Sequence, residues 1–170
     1  TLATAITKTT GNIILSVLGD ASVNVQNILT TASGLITLSA EDDVILSAAA
    51  DLTSTSGNIS ITADADTDAN GLGGELTLAD GALINSGSGT ITLNADENIT
   101  LGGLQTTNNS STAVQITSGS GSILDGGDTH IDVVANSGTL VANAATGIGV
   151  GNALETHIDG LNATTTSGVI

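Results

Sequence analysis

Apolar and polar residues alternate along several short segments of this chain. Ile, Leu or Ala occupies every second position in 36–40, 59–63 and 91–95, and Thr, Ser or Asn lies between them. A period of two places successive side chains on opposite faces of a β-strand, so one face of each segment can be buried while the other meets solvent. The pattern therefore predicts strands with a single buried face.

The same pattern, followed along the whole chain, predicts an all-β protein. Helix is disfavoured because no stretch keeps an apolar period of about 3.6 residues, and because Thr, Ser, Asn and Gly are abundant. Clusters such as 108–111, 126–128 and 136–138 have the composition of turns. We predict strands near 35–40, 44–47, 58–63, 75–79, 90–95, 98–101, 113–117, 130–134, 139–142 and 148–150.

One phrase, Ser-Gly-x-Ile-x-Leu/Ile-x-Ala, recurs at 33–40, 56–63 and 88–95. Its glycines are 23 residues apart at the first step and 32 apart at the second. A constant motif with irregular spacing indicates similar rungs of a β-solenoid joined by turns of variable length. With a shortest rung of about 23 residues, the chain would form a parallel β-helix of about seven rungs.

The two ends of the chain carry two halves of the same phrase. The chain finishes with Ser167-Gly168-Val169-Ile170 and starts with Thr1-Leu2-Ala3, which joined together restore it. We therefore expect residues 1–170 to be a single β-solenoid segment, uncapped at both ends, and one period of a tandem array continuing from Ile170 into Thr1. An uncapped rung exposes unpaired backbone groups, so the expected partner is another copy, head to tail. Covalent repeats and separate stacked subunits both fit this pattern.

Composition limits the core and the partners. Phe, Trp, Tyr, Met, Cys and Pro are absent, so the core must consist of Ile, Leu, Val and Ala, which suit a narrow solenoid interior. The net charge is −16 and Lys8 is the single base, which excludes nucleic acid as a partner. No apolar run is long enough for membrane insertion. We expect the negative charge to keep the repetitive β-structure soluble.

The most specific local signal is an acidic loop. Asp64, Asp66, Asp68 and Glu75 occupy positions 1, 3, 5 and 12 of a calcium-loop pattern, and Asn70 lies within it. Position 6 is Ala where that loop has Gly, and no helical pattern flanks it. The segment is therefore either a Ca²⁺ site that fixes an inserted loop or a solvated acidic turn. We expect no other cofactor.

Catalysis is not expected. Paired carboxylates can cleave glycosidic bonds, but sugar sites use aromatic platforms and this chain has no aromatic residue. His130 and His157 could ligate metal or transfer protons, yet each is equally a polar residue on the outer face of a strand. We predict that the protein is not an enzyme.

The repeats also resemble a known family. The recurring phrase, the Asp-rich loop and the segment 147–156 are similar to the β-strand repeats of filamentous-haemagglutinin-like giant bacterial surface proteins. The likeness covers essentially all of the chain. It implies a right-handed parallel β-helix, and a secreted or surface-anchored fibre used in adhesion or cell contact.

These observations lead to two functional hypotheses. In the first, the chain is a structural, extracellular fibre segment, a stiff and soluble β-solenoid stalk at the bacterial cell surface. In the second, it is an adhesive binding module whose lateral face, or a loop such as 64–75 or 104–112, recognises a cell surface or a glycan.

Overall fold

The computed structural model describes residues 1–66, 73–127 and 130–170. Within these residues the backbone forms eighteen β-strands and no helix, and the strands pair in parallel. Since this part of the chain has no helix, none of it forms a helical membrane span. The prediction of an all-β parallel solenoid is confirmed.

The chain winds around three faces, which we name A, B and C. Face A holds β1 (Ile6–Lys8), β4 (Leu29–Thr31), β7 (Asp51–Ser54), β10 (Leu83–Asn85) and β13 (Gly103–Gln105). Face B holds β2 (Ile13–Val17), β5 (Ile36–Ala40), β8 (Ile59–Thr62), β11 (Ile91–Ala95) and β14 (Val114–Ser118). Face C holds β3 (Val23–Val25), β6 (Val44–Leu46), β9 (Leu76–Leu78), β12 (Ile99–Leu101), β15 (Ser122–Asp125) and β17 (Gly147–Ile148).

The last two turns differ from the others because one long strand serves two faces. β16 (Val133–Ala144) crosses from face A to face B, and β18 (Thr156–Thr165) follows the same path above it. Counting these two strands, the described chain makes about seven turns, as the repeat spacing predicts.

The core consists of columns of aliphatic side chains that stack from rung to rung. On face B, Ile13, Ile36, Ile59 and Ile91 pair in register, and the last three are fully buried. Alternate residues of each strand point inward, so each rung adds side chains to the same columns. The narrow core of Ile, Leu, Val and Ala predicted from composition is confirmed.

Face A is the part of the fold that the alternation pattern does not predict. Each of its strands places one large apolar residue inward, such as Leu29 or Leu52. The second inward position of the strand either holds a hydroxyl residue or lies at the end of the strand. An apolar alternation therefore never develops there. The first-turn strands, β15 and β18 were also missed, and the strand predicted at 130–134 begins at Val133 and runs on to Ala144.

A column of buried hydroxyl groups runs along the corner between faces A and B. Each of them lies at the same inward position of its rung; they are Thr31, Ser54, Ser86 and Thr106. The Ser54 hydroxyl donates to the Gly34 carbonyl at 2.9 Å and accepts from the Gly57 amide at 2.8 Å. Because these groups are buried, their bonds satisfy turn backbone that water cannot reach.

The glycine of the recurring phrase is required by the close approach of successive rungs. A Cβ at Gly34 would lie 1.9 Å from the Gly11 carbonyl oxygen, and one at Gly57 would lie 1.9 Å from that of Gly34. At Gly89 the corresponding distance to Gly57 is 2.4 Å. Glycine at this position is thus a steric requirement of stacking at the corner.

We expect Gly57→Ala to lower the free energy of unfolding by about 1–3 kcal/mol or more, since the new methyl group overpacks the corner. The matched control is Gly19→Ala. Gly19 has φ +81 and open space around its Cβ, so only the left-handed backbone penalty of about 1 kcal/mol applies. Urea denaturation measures both; a neutral Gly57→Ala variant would contradict the steric account.

Candidate functional sites

The predicted calcium loop lies partly outside the described residues, because Asp68 and Asn70 fall there. Of the remaining predicted ligands, Asp64 has a left-handed backbone with φ 55. The Glu75 carboxylate accepts a hydrogen bond from the side-chain Nδ2 of Asn98 at 3.4 Å. The backbone N–H of Glu75 donates to Asp43 Oδ1 at 3.0 Å. Glu75 is thus tied to neighbouring rungs, whereas Asp66 is exposed, and the Ca²⁺ site stays a prediction.

Asp64 and Glu75 belong to an acidic corner between faces B and C, whose other described members are Glu41, Asp42, Asp43, Asp96 and Glu97. Its carboxylates accept hydrogen bonds from other rungs. Asp42 accepts from the Ser22 hydroxyl at 2.8 Å, and Glu41 accepts from the Gly19 amide. Some of the acidic side chains of this corner therefore accept hydrogen bonds that join one rung to the next.

A second acidic cluster, which the sequence analysis missed, lies at the corner between faces C and A. It consists of Asp125, Asp132 and Glu155, whose nearest carboxylate oxygens all lie within 4.8 Å of one another. Asp132 is fully buried. Its Oδ2 accepts from the Glu155 amide at 2.8 Å, and Asp125 Oδ1 accepts from the Gly127 amide at 2.9 Å.

The solenoid brings these three acids together from distant parts of the sequence. Asp125 ends β15, whereas Asp132 immediately precedes β16 and Glu155 immediately precedes β18. The carbonyl of Asp132 accepts from Leu104 at 2.7 Å, and that of Glu155 accepts from Val133 at 3.2 Å. The sequence does carry one signal for this cluster: in two successive rungs an acid, Asp132 or Glu155, directly precedes the first inward residue of face A.

Three converging carboxylates have the oxygen chemistry that hard cations use, but these acids also have a structural task. The Asp132 side chain holds the backbone of the next rung at a place where water is excluded. A buried carboxylate that accepts a backbone N–H stabilises the turn that carries this N–H. The three acids therefore stabilise the turn between faces C and A, and their oxygen atoms are also of the kind that binds a hard cation.

The two histidines are not brought together. His130 Nδ1 lies 3.5 Å from Asp80 Oδ1; the Asp80 side chain is exposed to solvent, whereas His130 is half-buried. His157 is exposed on β18, where it pairs in register with Val134. The functional reading considered for each histidine, a metal ligand or a proton shuttle, stays a prediction; among the described residues, neither histidine belongs to the group of acids close enough to share an ion.

Two openings with apolar linings lie at the two ends of the solenoid. A cavity of 330 Å³ at the C-terminal end is lined by Leu140, Ala142, Ile148, Leu154, Leu161 and Val169. One of 320 Å³ at the N-terminal end is lined by Leu2, Leu15, Val17 and Val23. These openings are the exposed ends of the core columns.

Comparison with known proteins gives no relative: no family model, no curated protein and no solved structure matches this chain.

We expect Asp132→Ala to lower the free energy of unfolding by about 1–3 kcal/mol, because the Glu155 amide loses its buried acceptor. Asp80→Ala is the matched control, since it removes an equal charge from an exposed side chain whose contact with His130 contributes little. Chemical denaturation of both variants tests this. Equal losses for Asp132→Ala and Asp80→Ala would show that Asp132 does not support the corner.

The Ca²⁺ prediction is tested by isothermal titration at physiological salt. If the loop is a Ca²⁺ site, saturable Ca²⁺ heat should appear and should disappear in Asp66→Asn, because the loop pattern uses that carboxylate as a ligand. Glu155→Gln is the control at the second acidic cluster and should leave the heat unchanged. Absence of Ca²⁺ heat, or heat that survives Asp66→Asn, would show that the 64–75 loop is a solvated acidic turn.

Proposed function

We propose that this chain is a segment of an extracellular β-solenoid stalk, a stiff spacer at the bacterial cell surface without catalytic activity. The observation that carries the proposal is continuity: the strand ladders of all three faces and the aliphatic columns extend through successive turns. Resemblance of the repeats to those of giant bacterial surface proteins supports the extracellular location.

Stiffness follows from the number of bonds that join each rung to the next. Besides the backbone ladders, side chains at the corners bond to the following rung. Asn12, Asn58 and Asn98 each accept an N–H from the rung above them, at 3.2, 3.0 and 2.9 Å. Bending the solenoid would lengthen these bonds on one side, so the fold resists it.

The lateral surface supports a spacer better than a recognition surface. Outward positions of the strands are mainly Thr, Ser and Asn, and the chain has no aromatic residue and a single base. Aromatic and Arg side chains dominate the binding energy of most interfaces. The excess of acids opposes lateral clumping of neighbouring fibres.

The loop 104–112, the site considered for a binding module, is used within the solenoid itself. Asn108 donates through Nδ2 to the Ser88 carbonyl at 2.9 Å, and its Oδ1 accepts from the Ser110 amide at 2.9 Å. The Ser110 carbonyl accepts from Thr139 of the next rung at 3.1 Å. Its polar groups thus support stacking, which favours the spacer function.

We expect the amides of β5, β8 and β11 to exchange with solvent only through global unfolding, as in one continuous rigid body. Native-state hydrogen exchange measures this. Exchange of these strands through separate local openings would contradict the stalk proposal.

The same proposal predicts no saturable binding of the labelled chain to bacterial or host cell surfaces or to a glycan array. Saturable binding that is lost in Asn108→Ala would instead establish the adhesive binding module.

A further inference from the structure

Asn-x-Ser/Thr triplets, the tripeptides on which glycans are attached to Asn, occur at several places in this chain. They begin at Asn58, Asn98, Asn108, Asn109 and Asn162. A transferase that acts on the folded chain must reach the Asn amide and the hydroxyl at the third position, and it needs a backbone that is not held in a sheet ladder. These criteria separate the five triplets.

Two triplets begin at the corner before a strand of the inner rungs. Asn58 precedes β8, and its Oδ1 accepts the Thr90 amide at 3.0 Å. Asn98 precedes β12; its Oδ1 accepts the Ser122 amide at 2.9 Å, and its Nδ2 donates to Glu75 Oε1 at 3.4 Å. The hydroxyl residues of both triplets lie within β8 and β12, which pair with a strand on either side. Both Asn side chains are thus fixed between rungs.

Two further triplets each have one of the two required groups engaged. The Asn108 Nδ2 group donates to the Ser88 carbonyl at 2.9 Å, so its amide is held against the preceding rung. Asn162 lies within β18, and the hydroxyl of its triplet, that of Thr164, donates to Asn143 Oδ1 at 2.5 Å. Neither triplet therefore presents both an accessible amide and an accessible hydroxyl.

The triplet that begins at Asn109 meets all three criteria. It lies in the loop 106–113 between β13 and β14, outside every strand, and both Asn109 and Ser111 are exposed. Among the residues that the structure describes, neither of these two side chains has a hydrogen-bond partner. The middle residue, Ser110, is held by its amide, which donates to Asn108 Oδ1 at 2.9 Å. The loop thus fixes the centre of the triplet and leaves its two recognised side chains in solvent.

The position of this loop also suits an enzyme and an anionic glycosyl donor. Residues 106–113 form a longer connection between faces A and B than 32–35, 55–58 and 86–90 form in the preceding rungs. No acid occurs in this loop, in 86–90 below it or in 136–138 above it. Glycosyl donors carry their sugar on phosphate, so a chain of net charge −16 repels them least where acids are absent.

We propose that Asn109 is an N-glycosylation site of the folded chain. Its Nδ2 forms a bond to C1 of a sugar that a nucleotide or lipid donor carries on phosphate. The bond between C1 and the phosphate oxygen breaks, its electron pair leaves with the phosphate, and one amide proton passes to a base of the transferase. The Ser111 hydroxyl is the group that the transferase recognises.

This inference rests on the proposed extracellular stalk, since such glycans belong to the surface loops of secreted proteins. It adds a bulky, hydrated group to the lateral surface of the stalk. Because the Asn109 side chain makes no hydrogen bond within the described chain, attachment of the glycan breaks none of the bonds that join the rungs.

Incubation of the folded whole chain with transferases that recognise Asn-x-Ser/Thr tests the proposal. One reaction contains a soluble transferase and UDP-glucose, and the other contains a membrane-bound oligosaccharyltransferase and its lipid-linked oligosaccharide. Intact mass and peptide mapping by mass spectrometry identify the modified residue. We expect the mass of one glycan, located at Asn109, in at least one reaction, and the reaction in which it appears identifies the kind of donor.

Four variants show whether the triplet is recognised as a unit. Asn109→Gln removes the acceptor and Ser111→Ala removes the hydroxyl, so each should abolish the mass gain, whereas Ser111→Thr should retain it. Asn58→Gln is the matched control, because Asn58 is also exposed but is bonded to the next rung, and it should leave the gain unchanged. Circular dichroism confirms that each variant is folded.

Three results would overturn the proposal. They are the absence of a mass gain in both reactions, a gain that survives Ser111→Ala, and a glycan on any of the other four triplets of the folded chain.

The two proposals fail in different ways. If hydrogen exchange shows protected inner rungs while no glycan is attached, glycosylation of Asn109 is wrong and the stalk function stands. If the inner rungs open separately, the stalk function fails whatever is attached at Asn109.

Discussion

Parallel stacking of one rung on the next is the constraint on which the rest of this structure depends. Each backbone ladder bonds in one direction to the turn before and in the other to the turn after, so every turn must present the same groups at the same positions. Aliphatic columns satisfy this requirement inside the faces. Glycines and buried hydroxyl groups satisfy it at the corner between faces A and B, where rungs approach too closely for a side chain at Gly34 or Gly57.

The same constraint explains what the chemistry of this chain is used for. Its Asn, Ser and acidic side chains resemble site residues when they are considered one at a time in the sequence. In the structure, Asn58 Oδ1, Ser54 Oγ and Asp132 Oδ2 all accept backbone N–H groups of a turn or of the next rung. The Ser54 and Asp132 acceptors are buried, so their bonds satisfy backbone groups that water does not reach, whereas Asn58 joins two rungs at the exposed surface.

Sequence reasoning succeeded where the physical signal was local. Most strands of faces B and C were predicted because strands such as β5 and β11 alternate Ile, Leu and Ala with polar residues over five positions, whereas β2, β3 and β15 were missed. Face A was missed because hydroxyl residues such as Thr31 and Ser54 fill an inward position that the pattern expects to be apolar. The cluster of Asp125, Asp132 and Glu155 could not be predicted before the rungs were aligned, since the proximity of these acids arises from winding and not from spacing.

Disulfide trapping across face A tests the central claim of in-register stacking most directly. The outward residues Thr30 and Thr53 are direct neighbours on β4 and β7, and adjacent strands about 4.8 Å apart fall within reach of a disulfide. The chain has no natural cysteine to interfere. We predict rapid disulfide formation in Thr30→Cys/Thr53→Cys and none in Thr30→Cys/Thr37→Cys, whose residues lie on different faces. Equal trapping of both pairs, or trapping of neither, would contradict the stacked arrangement.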